Sequence, residues 1–384
     1  MNSERLDRSA SAALVFGVIL GIAGLVGAMA NAPRFFQAYL FAWLFWCGMA
    51  LGGFGLLMMH HLVGGRWGFP VRRFFEAGVG TLPWVAVGFV PLLFGLHDLY
   101  AWANPAIVHA DEVLQRKQVY LNPTAFIIRM LIYFGFWIWM MIYLRRLSRA
   151  QDSGPDPEPT RRMRTFSGPG VVLFFLTATF ADIDLVLSLE PDWYSTVFAA
   201  IIIIGNALAV LAFSIVLLAR WSDREPYARL LSPEVWHHLG NLLLAFVMLW
   251  AYLAFSQLLV IYSGNLPNEI VWYLHRCYGG WKTVALLLGL MHFAIPFAIL
   301  LFRKTKRRGQ VLARIAWLVL IAHVLDIYWL VIPTFAPHGV RIGWLDVLLF
   351  VAFGAIWTGA FLRGLIREPL VPLNDPRLPV ASVV

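Results

Sequence analysis

The stretch Trp193–Ala219, WYSTVFAAIIIIGNALAVLAFSIVLLA, runs without a single Asp, Glu, Lys or Arg. A hydrocarbon core about 30 Å thick is crossed by roughly 20 apolar residues in helical form, so this segment reads as a transmembrane helix. The rest of the chain agrees with it. Of 384 residues, 60% are hydrophobic and only 13% charged, and the mean hydropathy is +0.72. Such a composition excludes a soluble globular protein.

Working outward from that helix, polar or Pro/Gly-bearing breaks divide the chain into ten apolar spans, near 11–30, 35–62, 79–97, 124–146, 168–190, 193–219, 235–262, 280–302, 310–332 and 343–365. The expected fold is an all-α integral membrane protein, a single membrane domain over 1–384 that ends in a tail at 366–384. Two stretches between spans, 98–122 and 266–279, carry the aromatic residues of a headgroup boundary and are expected to be partly helical and interfacial. When loops are assigned alternately to two sides, 23 of the 30 Lys and Arg fall on the side of both termini. The positive-inside rule then places both termini in the cytoplasm. The basic balance is explained by topology and by attraction to anionic membrane lipid, with no nucleic-acid partner required.

A competing reading of the first span is a cleavable signal, because Ala28–Ala32, AMANA, offers a small-x-small pattern. Its apolar run is longer than a usual signal core, and retaining it keeps an even span count with both ends basic. Cys47 and Cys277 stand far apart in no haem-attachment or iron–sulfur pattern. No phosphate-cradling glycine motif is present either, so the expectation is that this chain binds no cofactor.

Two motifs recur. Asp184–Pro191, DLVLSLEP, returns as Asp326–Pro333, DIYWLVIP, and Gly48–Leu51, GMAL, returns as Gly205–Leu208, GNAL. Each pair lies four helices apart, which restores the original direction. The expected arrangement is therefore two related four-helix bundles, spans 2–5 (35–190) and 6–9 (193–332), flanked by spans 1 and 10 (1–30 and 343–365). Seven residues at 1.5 Å each would set both aspartates roughly 10 Å inside the helix ends. An acidic residue at a helix centre costs about 2.5–3.5 kcal/mol on insertion scales, so such residues face protein or water and mark function. The structural alternative is an interhelical hydrogen bond or an Arg pair that holds the bundle together.

Asp184 and Asp326 are the first candidates for proton transfer, with Asp182, Glu190, His323 and His292 as relays. His323 precedes Asp326 by three residues and shares its helix face, and histidine both takes and gives a proton near neutral pH. His292 and His323 could also ligate a haem iron axially, although a di-haem bundle would show further histidine pairs along one helix.

Gly240–Gln257, GNLLLAFVMLWAYLAFSQ, with Ser263–Trp281, SGNLPNEIVWYLHRCYGGW, resembles the smaller of two homologous membrane subunits of alternative complex III, an ActF-type member of the NrfD/polysulfide-reductase membrane superfamily. SLEPDWYSTVF (Ser188–Phe198), HHLVGGRWG (His60–Gly68) followed by GTLPW, and PLVPLNDPRLP (Pro369–Pro379) extend the resemblance along the chain. It implies a cofactor-free ten-helix subunit of a complex that oxidises menaquinol or ubiquinol and passes electrons to cytochrome c or another acceptor. The implied partners are a paralogous ten-helix quinol-binding subunit, an iron–sulfur subunit, and a multi-haem cytochrome c subunit that carries haem c. This chain departs from the pattern at His238, where an acidic residue precedes Leu-Gly, and at Asp192, where relatives often have histidine.

Overall fold

The computed structural model describes residues 3–378; the last residues of the expected tail, 379–384, and Pro379 of its motif lie outside them. Ten helices are long and apolar enough to cross a membrane: α1 (Glu4–Ala30), α2 (Ala32–Val63), α3 (Arg72–Leu99), α4 (Pro123–Asp152), α5 (Glu158–Leu189), α6 (Phe198–Trp221), α7 (Pro233–Gly264), α8 (Trp281–Leu300), α9 (Gly309–Thr334) and α10 (Trp344–Ile366). No strand is present among the described residues. The chain is thus an all-α, multi-pass membrane protein. Short helices fill both stretches expected at the interface, Pro105–Ala110 and Glu112–Lys117 before α4, and Pro267–Leu274 before α8.

Helices α2 and α6 are the most enclosed, and their crossing organises the fold. A Cβ placed on Gly48 would stand 2.2 Å from Asn206 Oδ1, and one on Gly52 only 2.3 Å from the Asn206 carbonyl oxygen. Small residues let helix backbones approach where no hydrophobic force separates protein from lipid. The two echoing tetrapeptides, GMAL and GNAL, therefore face each other across this crossing. Around it, α5, α3 and α10 pack on α2, α9 and α7 pack on α6, and α4 packs on α5. Helix α1 lies along α10, where Gly17, Gly24 and Gly27 seat against Ile356, Leu349 and Leu345.

Two boundaries differ from the sequence expectation for physical reasons. Helix α3 begins at Arg72 rather than near residue 79, because Arg72, Arg73 and Glu76 are buried and satisfy one another instead of ending the span. The α-helical part of α5 stops at Leu185 and tightens into a 3₁₀ turn at Leu187–Leu189, so Asp184 lies one residue from the helix end. Asp326, by contrast, is followed by more than a turn of α-helix, to Val331. Along their helices, the two aspartates thus stand at different distances from the end of the α-helical part.

Candidate functional site

The polar groups of the bundle interior gather where α6, α7, α8 and α9 meet. Helical spacing puts His323 and Asp326 on one face of α9, with His323 Nδ1 3.7 Å from Asp326 Oδ2. Trp250 of α7 donates its indole N–H to Asp326 Oδ2 at 3.2 Å. Asn206 of α6 holds the other side of the imidazole, Oδ1 to His323 Nε2 at 3.2 Å. An amide oxygen only accepts, so Nε2 carries the hydrogen of this bond. Nδ1 is then the nitrogen nearer the carboxylate, and at 3.7 Å it makes no hydrogen bond.

His292 completes the cluster from α8. It is 0% exposed, and neither ring nitrogen has a hydrogen-bond partner. Its ring centroid lies 4.1 Å from that of Trp250 and 5.9 Å from that of His323. The backbone explains its placement. Pro296 cannot donate to the His292 carbonyl four residues back and would collide with it. Residues Gly289–Ala294 widen into a π-helical turn, which relieves that clash and turns His292 inward.

Asp182 approaches the same cluster from α5. It is buried, and its carboxylate has no hydrogen-bond partner among the described residues. It lines two small cavities, of about 20 and about 10 Å³, and Asn206 lines both of them. Each is near the size that admits one water. Asn206 thus stands between the cavities that Asp182 faces and the His323–Asp326 pair. Toward the other end the contacts stop: from Gly48, which touches Asn206, to His60 every residue of α2 is apolar or glycine. Twelve residues at 1.5 Å make that gap roughly 18 Å.

Asp184 and Glu190 are placed apart from this group and held by arginines. Asp184 receives both Nε and Nη2 of Arg129, at 2.9 and 2.8 Å, with the Arg129 guanidinium over the Tyr120 ring. Glu190 accepts from Arg276 Nη1 at 2.8 Å and from Thr334 Oγ1 at 2.7 Å, and lies 3.0 Å from His275 Nδ1. Arg276 is 2% exposed, stacks on Trp272, and also donates to the carbonyls of Trp272, Trp329 and Leu330. Burial lowers the pKa of this guanidinium, against the opposing pull of Glu190.

A further network at the arginine-rich end was not anticipated from sequence. Glu76 accepts from Arg72, Arg73 and Ser148, and Arg72 reaches Asp375 of the tail at 3.0 Å. His60 and His61 are buried beside it, His61 bonded to Ser167. The signal that could have revealed these pairs is the arginines themselves: Arg129 inside an apolar run, and Arg72 and Arg73 next to Glu76, each need a buried acid.

Among the described residues no group of three or more His, Cys, Asp and Glu is placed to hold a metal ion. Both nitrogens of His323 are directed at Asn206 and Asp326, away from any axial site shared with His292. Neither family models nor curated proteins match this sequence.

Proposed function

We propose that this chain is a membrane subunit of a quinol-oxidising electron-transport complex of the alternative complex III type, in which the cluster around Asp326 carries protons part of the way across the membrane. The observation that supports this most directly is the juxtaposition of Asp326, His323 and His292, all buried, with Asn206 connecting them to Asp182 and its water-sized cavities. Oxidation of a quinol releases two electrons and two protons. In this reading the electrons go to iron–sulfur and haem c groups on partner subunits, and the protons are the concern of this chain. His323 is suited to the handoff: Asn206 fixes the ring through Nε2 and leaves Nδ1 free toward Asp326, so the imidazole can take up a proton on that side and return it.

The apolar gap along α2 makes the path partial, as expected of a subunit that depends on a partner to complete it. The chain would sit in a bacterial inner membrane with both termini cytoplasmic, beside a paralogous ten-helix subunit that binds menaquinol or ubiquinol. A self-sufficient proton-coupled transporter is the less favoured reading. Such proteins interrupt corresponding helices of their repeats. Here the 3₁₀ stretch of α3, Val90–Gly95, and the π turn of α8 have no counterparts under a four-helix repeat, and the 3₁₀ turns that α5 and α9 share, Leu187–Leu189 and Ile332–Thr334, stand at span ends and not mid-helix.

Two experiments test the proposal in order. Gentle extraction of the tagged chain from native membranes, followed by mass spectrometry, should recover multi-haem and iron–sulfur subunits with a second ten-helix chain; a clean monomer or homo-oligomer overturns the complex. In the recovered assembly, Asp326→Asn should leave the subunits together and lower proton movement per quinol oxidised. An intact mutant complex with unchanged proton stoichiometry removes Asp326 from the path.

A further inference from the structure

A second feature lies on the outside of the bundle, in the crevice between α3 and α4 at the arginine-rich end. A cavity of about 390 Å³ opens there, within the size range of small-ligand sites. Its lining is divided. Pro83, Ile138 and Ile142 form an apolar wall, with Ile142 41% exposed toward the lipid side. Arg145, Arg146 and Arg149 stand on the next turns of α4, where the helix leaves the apolar region.

Two of these arginines share one carboxylate. Glu368, from the segment after α10, lies 2.6 Å from Arg149 Nε and 3.6 Å from Arg145 Nη2. Arg146 is exposed and has no carboxylate partner among the described residues. Two positive charges are therefore uncompensated at the mouth of an apolar crevice. Gly80 belongs to this design: a Cβ there would stand 2.8 Å from Arg145 Nη1, so the absence of a side chain on α3 lets the guanidinium lie across the opening.

We infer that this crevice is a binding site for one anionic glycerophospholipid, its phosphate held by Arg145, Arg146 and Arg149 and an acyl chain lying against Ile138 and Ile142 between α3 and α4. Arginine matches phosphate because its planar fork presents paired N–H donors to two oxygens. A free phosphate would use the arginines and leave the apolar wall bare, whereas a zwitterionic lipid would bring its own cation toward an excess of positive charge. Only an anionic lipid satisfies both halves of the lining. Glu368 competes for the same arginines and so tunes the affinity. The inference rests on the membrane fold and the local charge, and is independent of the proposed electron-transport role.

The test is native mass spectrometry of the purified full chain in a neutral detergent, titrated with phosphatidylglycerol, phosphatidylcholine, glycerol phosphate and inorganic phosphate. The expected result is one tightly retained phosphatidylglycerol, at least tenfold weaker retention in Arg146→Gln/Arg149→Gln, and severalfold stronger retention in Glu368→Gln. The Glu368 variant keeps the test decisive if the double variant does not fold, since a merely structural arginine cluster predicts no gain. Equal retention of phosphatidylcholine, equal protection by inorganic phosphate, or retention unmoved by either variant overturns the inference.

Discussion

The crossing of α2 and α6 makes opposite demands on two adjacent glycines. A methyl group at Gly52 would lie 2.3 Å from the Asn206 carbonyl oxygen, about 1.1 Å short of an ordinary 3.4 Å contact. The obstacle is backbone, so the helices must part. Overpacking of this kind costs about 1–3 kcal/mol, and a backbone clash belongs at the upper end. Alanine recovers about 0.5–1 kcal/mol over glycine inside a helix. Gly52→Ala should thus lose about 2 kcal/mol, roughly thirtyfold in the folding equilibrium. At Gly53 the nearest atom to a new Cβ is 3.7 Å away, so Gly53→Ala keeps the helix gain without the clash. The assay is thermal unfolding of both variants in one detergent. Gly52→Ala should melt several degrees below the wild type, and Gly53→Ala at or slightly above it. If Gly52→Ala melts as high as Gly53→Ala, the close approach of α2 and α6 is refuted, and with it the geometry that holds Asn206 against His323.

Three further outcomes follow from the arginine-held acids. Asp184→Asn should lower the melting temperature while leaving proton movement in the assembly unchanged, because both oxygens of this carboxylate are engaged by Arg129, apart from the Asp326 cluster; a proton defect equal to that of Asp326→Asn would show Asp184 to be on the path. Arg276→Ala removes the charged partner of the part-buried Glu190, leaving it Thr334 and His275, and should cost somewhat less than the about 3–5 kcal/mol of breaking a fully buried pair. Arg276→Lys should recover little of it, since an ammonium cannot reach three carbonyls and a carboxylate as the fork does; near-complete rescue in a melting assay would contradict this. The tail gives a pH prediction. Burial raises the pKa of Asp375, but Arg377 and Arg72 outweigh it and hold the carboxyl below its usual range. Its stabilising contribution is therefore complete above the unfolded value, near 3.9, and is lost as pH falls through the lower folded value. Amide exchange over Leu370–Leu378, corrected for intrinsic rate, should stay slow from pH 8 to 5 and quicken only below about pH 4. In Asp375→Asn it should be fast throughout.

Span number and helical class were legible because a membrane helix is specified by the length and polarity of one continuous segment, as in Trp193–Ala219. The ends were less legible where charges pair in three dimensions. Arg72, Arg73 and Glu76 read as a loop in one dimension and form two buried turns of α3 once Ser148 and Asp375 are beside them. The same limit applied at the site. Periodicity placed His323 beside Asp326, and the structure brings His292 and Asp182 toward them. Sequence gave no means of separating Asp184 from Asp326, because the repeat DLVLSLEP/DIYWLVIP describes a shared strand of sequence and not the partner supplied by the neighbouring helix. That partner is Arg129 for one and Trp250 with His323 for the other.

The choice of partner is the physical distinction that matters. An arginine presents a rigid fork of N–H donors and so fixes the carboxylate it binds in one position. Asp184, Glu190 and Asp375 are held in this way, and Asp346 is likewise paired with Arg34. Such pairs join helix ends and seat the tail. Asp326 and Asp182 have no arginine. One meets an indole N–H and an imidazole, the other the wall of a cavity that can admit a water. The protein sets arginines against the other buried acids of its bundle and none against these two, so the proposed proton path and the arginine-held frame are separable by substitution.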